Sequence, residues 1–289
     1  MKQNRLSCCR GIAFLGAIAA LMTSNWAYGA DAGGEKQQEL SVSTQLNLVS
    51  DYVWRGLSQT WGKPASQITV SAAHECGTYA SFFASNVAAQ FVPNGSVEID
   101  LEAGYKGKIG SVEASVGGLL AMYPGANFDK ASFSPAFESS DPTTVELYIG
   151  AAWAGFSARL GYIPTKFYGW NTNNSGVNGV FNSEQPHAGL TGDSRGALNA
   201  ELAYLHPLND RFSVQVAIGR QRIPNSTGLS WNYGRLAMSA NLNGGWALGL
   251  AASATSDPDG FKDYGSLTNN GQRSTPSRAA VVFSISRQL

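Results

Sequence analysis

The sequence has few cysteines, few histidines and, beyond its N-terminal segment, no long apolar run. It contains 3 Cys and 3 His in 289 residues, and Cys8 and Cys9 both lie in the N-terminal segment. Cys76 would therefore stand alone after removal of that segment, which excludes an intramolecular disulfide. No later stretch has the length and apolarity of a transmembrane helix.

Charge is sparse and balanced. Charged residues make up 14% of the chain, with 20 Lys and Arg against 20 Asp and Glu. Removing the segment that carries Lys2, Arg5 and Arg10 would leave 17 basic against 20 acidic residues. Because a nucleic-acid-binding domain needs a concentrated basic surface, we do not expect nucleic acid as a partner.

Residues 1–29 have the pattern of a secretory signal peptide. The three basic residues accompany an apolar stretch, residues 11–22, that is too short to span a bilayer comfortably. Ala27-Tyr28-Gly29 then has the small-x-small pattern of a cleavage site. We predict cleavage before Ala30, a periplasmic tail at residues 30–39 and a folded domain at residues 40–289.

The stretch 97–122 shows the pattern that recurs through the rest of the chain. Its first part alternates apolar residues, Val97, Ile99, Leu101, Ala103 and Tyr105, with Glu98, Asp100, Glu102, Gly104 and Lys106. Successive side chains of a strand point to opposite faces, so one face is apolar and the other is acidic. We predict a turn at residues 107–110 that pairs Lys106 with Ser111 and Gly104 with Glu113.

The same alternation recurs in twelve segments joined alternately by short turns and long loops. They are residues 40–48, 66–74, 78–86, 97–106, 111–122, 145–153, 156–162, 198–204, 212–218, 235–242, 246–252 and 279–285. Segment 78–86 is ambiguous alone, and pairing His74 with Thr78 would turn Phe82 outward and Phe83 inward. Outer-membrane barrels have short periplasmic turns and long outer loops. The sequence therefore predicts an all-β fold, a transmembrane up-and-down antiparallel β-barrel of about 12 strands.

Aromatic residues fall near the ends of these segments. Tyr105, Trp153, Phe156, Phe212 and Trp246 flank short turns on the apolar parity, and Tyr123 and Tyr162 lie near the opposite ends. A barrel in a membrane carries such residues at both interfaces, whereas a soluble sandwich would bury them in its core. The alternation favours interfacial girdles.

The segment Ser50-Asp51-Tyr52-Val53-Trp54-Arg55-Gly56-Leu57-Ser58-Gln59 resembles the TorF family, Gram-negative outer-membrane proteins described mainly as conserved hypothetical porins. The similarity continues through Gly77-Thr78-Tyr79-Ala80, Ser85-Asn86-Val87 and Val97-Glu98-Ile99-Asp100, and is fairly specific over residues 46–110. The resemblance implies an outer-membrane β-barrel with pore activity and supplies no catalytic residues. One departure is the end of the sequence, which is Leu289 where such barrels usually have Phe, with Arg287 on the outward parity.

If the apolar faces contact lipid, the other parity lines a lumen. The predicted lumen-lining residues are the acids Glu98, Asp100, Glu102, Glu113, Glu146 and Glu201 and the bases Lys106, Arg159, Arg235 and Arg278. Closure of the sheet would place the acids of the first half roughly opposite the bases of the second. The excess of acids favours a narrow, weakly cation-preferring pore for small polar, zwitterionic or weakly cationic solutes. Alternatively, acids and bases pair across the lumen and plug it, which leaves a structural barrel.

The first long loop carries Asp51, Trp54, Arg55 and Trp61. Arg55 either folds inward and constricts the lumen or anchors the loop by hydrogen bonds to carbonyl groups. We favour the anchor, with Asp51 as the partner of Arg55.

Two other classes of function remain as alternatives. A barrel lipase would need a nucleophile and a His base near the outer leaflet, but His74 and His206 fall at periplasmic turns and His187 has no identifiable partner in its long loop. An adhesion barrel would bind its partner through loops such as the Asn- and Gly-rich residues 171–182, which could equally be solvated and mobile.

No metal site is predicted, because no pair of residues has ligand spacing and Asp257-Pro258-Asp259-Gly260 is too short for a calcium loop. The expectations are a non-enzymatic protein of the bacterial outer membrane with no cofactor. Its partners would be outer-membrane lipid, small polar solutes and, during biogenesis, periplasmic chaperones and the barrel-assembly machinery.

Overall fold

A computed structural model describes residues 40–256, 258–268 and 271–289. The predicted signal peptide (1–29) and tail (30–39) lie outside the described residues. Within the described ranges, twelve long strands form one closed barrel. They are β1 (Leu40–Val49), β2 (Ala65–His74), β3 (Thr78–Asn86), β4 (Val97–Ile109), β5 (Val112–Met122), β6 (Thr144–Trp153), β7 (Phe156–Ile163), β8 (Ala197–Pro207), β9 (Phe212–Arg222), β10 (Trp231–Asn241), β11 (Trp246–Ser256) and β12 (Ala280–Gln288).

Each strand pairs antiparallel with the strands before and after it in the chain, and β12 pairs with β1 to close the ring. The predicted all-β, up-and-down barrel of twelve strands is confirmed. Five short turns lie at one end of the barrel and six long loops at the other. We name the long loops L1 (50–64), L2 (87–96), L3 (123–143), L4 (164–196), L5 (223–230) and L6 (257–279).

Alternation of exposure along the strands separates two surfaces. On β6, Leu147 and Ile149 are more than half exposed, at 51% and 57%, whereas Glu146 and Tyr148 between them are buried. The same period-two pattern gives the barrel an apolar outer surface and a polar inner wall. No described helix is long and apolar enough to cross a membrane.

The hairpin of β4 and β5 is longer than predicted. Ile109 pairs with Val112, so the turn is Gly110-Ser111 and not residues 107–110, and Lys106 lies opposite Ser115. Gly110 has φ +63°, a conformation that glycine adopts without steric cost. The predicted pairing is therefore wrong by four positions, but the shift is even and each side chain keeps its predicted face.

Other registers agree with the sequence. Ala73 pairs with Tyr79, the register predicted for β2 and β3, and it leaves Phe82 outward and Phe83 buried. Trp153 pairs with Phe156 across the tight turn between β6 and β7.

The aromatic residues at the turn end of the barrel lie on its outer surface. Tyr105, Trp153, Phe156, Phe212 and Trp246 are all exposed there, and Tyr162 is exposed near the opposite end. The guanidinium of Arg287 lies 5.1 Å from the ring centroid of Trp246. Tyr123 was predicted to lie in the outer aromatic girdle, and this prediction is wrong. The residue is 2% exposed and does not face outward. It continues the inward parity of β5, and its hydroxyl donates to Glu98 Oε1 at 2.7 Å.

The long loops pack on one another into a hydrophobic cluster over the outer end of the lumen, which we call the loop cap. Its buried aromatic and aliphatic members come from all six long loops and include Tyr52, Val92, Phe128, Phe137, Phe167, Trp170, Phe181, Leu229, Phe261 and Tyr264. The cluster continues into the outer ends of the strands at Val49, Phe83 and Val282.

Polar contacts join neighbouring loops within the cap. Gly189–Leu190 of L4 pairs with Ser226–Thr227 of L5. The side-chain amide of Asn182 in L4 donates to the carbonyls of Gly260 and Lys262 in L6, at 2.9 and 2.8 Å. Because Asn174, Ser175 and Asn182 are buried, much of the stretch 171–182 is packed and is not a solvated surface.

Candidate functional site

L1 enters the lumen as a small hairpin. Its two-residue strands, Val53–Trp54 and Leu57–Ser58, are joined by Arg55 and Gly56, whose φ angles are +46° and +83°. Two successive positive φ angles are those of a type I′ turn. Gly56 is required at this tip, because a Cβ atom there would collide with the side chain of Thr255.

The base of the hairpin is fixed by Asp51. Its Oδ1 accepts hydrogen bonds from Ser58 Oγ at 2.7 Å and from Thr60 Oγ1 at 2.8 Å. The predicted pairing of Asp51 with Arg55 is therefore wrong: Asp51 satisfies the hydroxyl groups of its own loop, and the type I′ turn carries Arg55 away from it.

Arg55 crosses to the opposite wall of the barrel. Its Nη2 lies 2.7 Å from Glu146 Oε2 on β6, and its Nη1 donates to Gln221 Oε1 on β9 at 2.7 Å. Its guanidinium also lies 4.3 Å from the ring centroid of Trp54. Trp231 Nε1 donates to the Arg55 carbonyl at 2.7 Å. The side chain thus spans the barrel interior and ties L1 to β6 and β9, through the Glu146 carboxylate and the side-chain amide oxygen of Gln221.

The charge network continues along the wall to Arg159 on β7. Its guanidinium contacts Glu146 Oε1 at 3.2 Å and Glu102 Oε1 at 3.3 Å, and it stacks on Tyr148 with 3.5 Å to the ring centroid. Tyr148 donates to Glu102 and hydrogen-bonds Tyr79. Two arginines therefore neutralise the two acids on which the predicted cation preference partly depended.

Glu98 and Asp100 lie behind this network, near the outer end of β4. They are 2% and 6% exposed. Neither is among the described residues that line the two lumen cavities. The wall that a solute would contact is therefore less acidic than the sequence suggested.

The other half of the barrel interior contains two small cavities, about half of whose lining residues have small side chains. An outer cavity of about 50 Å³ lies between L1 and β8–β12, and an inner cavity of about 30 Å³ extends from it toward the short turns. Both cavities are lined by Arg235, Ala251 and Val282. Both cavities therefore lie to one side of the charge network, beside β9–β12, and we refer to them together as the passage.

The strand-borne charges on this passage are Glu201 and Arg235. Glu201 accepts a hydrogen bond from Tyr233 Oη at 2.9 Å, and Arg235 Nη1 donates to Gln215 Oε1 at 3.1 Å. Tyr233 also accepts from Asn199 Nδ2 at 3.0 Å. L1 contributes Asp51 and Arg55 to the outer cavity, so acids and bases balance on its wall.

The remaining predicted lumen residues divide between the barrel and the loops. Lys106 on β4 and Glu113 on β5 share the inward parity near the short turns. Arg278 is exposed in L6, before β12 begins, with its guanidinium close to Gly62. The prediction for Arg278 is wrong because β12 begins at Ala280, two residues after Arg278.

Sequence reasoning missed the tyrosines that shape the inner wall. Tyr79, Tyr148 and Tyr233 lie directly opposite Gly104, Gly117 and Gly219 on neighbouring strands. A Cβ atom at any of these glycines would collide with the facing tyrosine. The inward parity of both members was readable from the sequence, but their pairing required the strand registers.

The described residues contain no cluster of three or more His, Cys, Asp or Glu that could hold a metal ion. His187 Nε2 lies 3.6 Å from Asp259 Oδ2 of L6, so the expectation that it has no partner is wrong. His74 accepts from the amide of Cys76, and His206 contacts Tyr204.

A family model described as a bacterial protein of unknown function, Gcw_chp, matches residues 33–288. The chain belongs to this family. No curated protein matches it at a significant level. Among solved structures, the Gcw_chp chain is similar to the KdgM porin, with 10% identity and a TM-score of 0.45 over 85% of this chain and 97% of the other.

Two further structures are similar to the Gcw_chp barrel. A KdgM porin in complex with disordered oligogalacturonate has 9% identity and a TM-score of 0.44, over 86% of this chain and 98% of the other. OccK10 (OpdN) of Pseudomonas aeruginosa has 14% identity and a TM-score of 0.37, over 87% and 70%.

Proposed function

We propose that this Gcw_chp protein is a porin-like channel of the bacterial outer membrane, which passes small polar solutes through the off-centre passage beside β9–β12. The observation that carries the proposal is the pair of cavities that meet at Arg235 inside a closed barrel with a polar inner wall.

The outer surface supports a membrane location. Large apolar residues on the outward parity are exposed on eleven of the twelve strands, and on β2 the outward Ile68 and Val70 are half-buried. The strands are 8 to 13 residues long. A transmembrane strand needs about 9–11 residues, and a closed barrel leaves no unpaired backbone edge in lipid. The aromatic residues near the turn end fit an interfacial girdle.

The N-terminal pattern supports export. Residues 1–29 would be cleaved as a signal peptide, residues 30–39 would remain in the periplasm, and the short turns would face that compartment. The TorF resemblance of residues 46–110 supports the same location and an outer-membrane porin role. N-terminal sequencing of the exported protein should begin at Ala30, and a first residue inside β1 would contradict this division.

The balance of charge on the passage favours neutral and zwitterionic solutes over cations. Glu102 and Glu146 are held by Arg55 and Arg159, and Glu98 and Asp100 lie apart from the cavities. The outer cavity is lined by two acids, Asp51 and Glu201, and by two bases, Arg235 and the Arg55 that is already paired with Glu146. A small permeability difference between potassium and chloride is expected.

A second candidate is a structural or interaction barrel whose lumen is plugged. The loop cap and the chain of contacts from Arg55 to Glu146, Arg159 and Glu102 favour it, because both fill space that a solute would need. The lipase alternative has no observation in its favour among the described residues.

The test is to refold residues 30–289 in detergent and compare unboiled with boiled samples on a denaturing gel. The same sample is then added to a planar bilayer. A folded barrel should migrate differently before boiling, and a channel should give discrete conductance steps. A heat-modifiable band without conductance, in the wild type and in Arg55→Ala, would favour the plugged barrel.

A further inference from the structure

Charges inside a narrow lumen are costly unless they are paired or bind something. Arg55 and Arg159 both contact carboxylates. Arg235 differs from them, since its hydrogen-bond partner is the neutral side chain of Gln215. Among the described residues, no carboxylate oxygen lies within 4.0 Å of its guanidinium.

Glu201 is a carboxylate that lacks a close basic partner, just as Arg235 lacks a close acidic one. It lies directly opposite Arg159 in the pairing of β7 with β8, but Arg159 turns to Glu102 and Glu146 instead. Its carboxylate accepts a hydrogen bond from Tyr233. Within the described part of the chain, no basic nitrogen lies within 4.0 Å of it.

The two charges flank one tyrosine ring. Glu201, Gly219 and Tyr233 are successive partners across β8, β9 and β10, and the Tyr233 ring lies over Gly219. Arg235 is two residues further along β10. Since neighbouring strands are about 4.8 Å apart, the Cα atoms of Glu201 and Arg235 are on the order of 10 Å apart, and their side chains extend into the same cavity.

A solute with one charge would satisfy only half of this arrangement. An anion on Arg235 would be repelled by Glu201, and a cation on Glu201 would be repelled by Arg235 and by Arg55, which lines the same cavity. A zwitterion pairs with both Glu201 and Arg235. Guanidinium–carboxylate contacts are among the stronger charge-assisted hydrogen bonds.

We propose that Glu201, Tyr233 and Arg235 form a binding site for small zwitterions of the α-amino-acid class, with the carboxylate on Arg235 and the ammonium on Glu201. The proposal rests on the channel function and names its solute class. Tyr233 holds the Glu201 carboxylate in place and offers its ring to the short side chain of the solute.

Four solutes of similar size separate the charge classes: L-alanine is zwitterionic, lactamide neutral, L-lactate anionic and L-alaninamide cationic. Their fluxes are measured in proteoliposomes that contain the full mature chain. The wild type should prefer L-alanine to lactamide. In Glu201→Gln and in Arg235→Gln, the ratio of L-alanine to lactamide flux should fall roughly tenfold, the effect of losing one charged hydrogen bond.

The two variants should also differ from each other. Glu201→Gln should raise L-lactate flux relative to L-alaninamide, and Arg235→Gln should do the reverse. The double variant removes one charge of each sign. It should therefore lose the L-alanine preference without a change in the ratio of L-lactate to L-alaninamide flux. Arg278→Gln and Glu138→Gln remove the same charges from exposed loop positions and should behave as wild type.

Each contrary outcome has a distinct meaning. An L-alanine preference that is equal in wild type and all three lumen variants overturns the binding site and leaves the channel function intact. A wild type that prefers L-lactate overturns the zwitterion assignment in favour of an anion. A wild type that folds, as judged by its heat-modifiable band, but passes none of the four solutes overturns the channel function and this proposal with it.

Discussion

At the scale of single residues, Arg55 joins L1 to the opposite wall of the barrel. Its guanidinium and that of Arg159 share the carboxylate of Glu146, and both side chains are largely buried, at 7% and 13% exposed. Removing Arg55 therefore leaves Glu146 with one cation instead of two.

The variant Arg55→Ala should increase single-channel conductance, because the side chain that crosses the lumen is lost. It should also lower the free energy of unfolding by about 3 kcal/mol, the usual cost of removing one partner of a buried ion pair. Bilayer recordings and urea unfolding in detergent measure the two effects. Arg278→Ala is the matched control, and an unchanged conductance in Arg55→Ala would contradict the constriction.

Strand parity predicted the face of most site residues but not their partners. A period of two places Glu102, Glu146 and Arg159 on the inner wall without any knowledge of register. The partners of Arg55, however, lie 91 and 166 residues away in the chain. Only the closure of the ring and the path of L1 bring them together, and neither follows from local pattern.

At the scale of strands and turns, the tyrosine–glycine pairs set the spacing of the inner wall. Each tyrosine covers the backbone of a glycine on the next strand, an arrangement that shields a residue with no side chain of its own. The pairs thereby hold these tyrosine rings against the wall.

Gly219→Ala should push Tyr233 away from β9 and break its hydrogen bonds with Glu201 and Asn199. We expect a loss of about 2 kcal/mol in unfolding free energy, which is typical of overpacking, together with a weaker preference for zwitterions. Gly265→Ala is the control, since no heavy atom lies within 4 Å of an added Cβ there. Equal stability of the two variants would contradict the packing role of Gly219.

The short turn between β2 and β3 offers a test of orientation. Hydrogen bonds with Thr78 lower the pKa of the Cys76 thiol to about 7. Since the thiolate is the reactive form, labelling by a membrane-impermeant maleimide should be half-maximal near pH 7 and fall about tenfold per unit below it.

If the short turns face the periplasm, Cys76 should be labelled only after the outer membrane is permeabilised. Ser183→Cys, in a Cys76→Ser background, places a thiol on the exposed surface of L4 and should be labelled in intact cells. The opposite pair of results would show that the short turns face outward and the long loops face the periplasm.

Elements were predictable where the alternating pattern was long. All twelve strands follow from it, and the even shift in the β4–β5 hairpin left the faces unchanged. The end of β4 was misplaced because Gly107 and Gly110 both carry turn character, and the pattern alone does not say which one turns the chain.

At the scale of the whole molecule, the loop cap lies over the outer end of the lumen and the passage lies below it. The cap packs apolar residues from every long loop over the outer end. In the proposed channel, a solute from outside would pass between loops before it reaches Glu201 and Arg235. The hydrogen bonds from Asn182 of L4 to L6 hold two of these loops together over that path.

Asn182→Ala should loosen the cap, because the buried carbonyl of Gly260 and the partly buried carbonyl of Lys262 lose their donor, at a cost of about 1–3 kcal/mol. We expect faster proteolysis within residues 171–190 and more frequent conductance openings. Ser183→Ala changes an exposed neighbour and is the control. Identical proteolysis of the two variants would show that other contacts hold L4.

The cap could not be predicted from the sequence. Its members are scattered over six loops with no periodicity, so Phe167, Phe181 and Phe261 looked like isolated apolar residues in polar surroundings. Burial of such residues depends on three-dimensional proximity, which the loops acquire only after the barrel has fixed their ends.

The seam between β1 and β12 joins five residue pairs, whereas β1 and β2 join ten. It is also the contact most distant along the polypeptide, so loop-closure entropy delays it relative to every local hairpin. A chain without β12 would have eleven strands and two unpaired edges. The backbone amide and carbonyl groups on those edges would lack hydrogen-bond partners in the lipid. The nine residues of β12 therefore decide whether the sheet closes and can be stable in lipid.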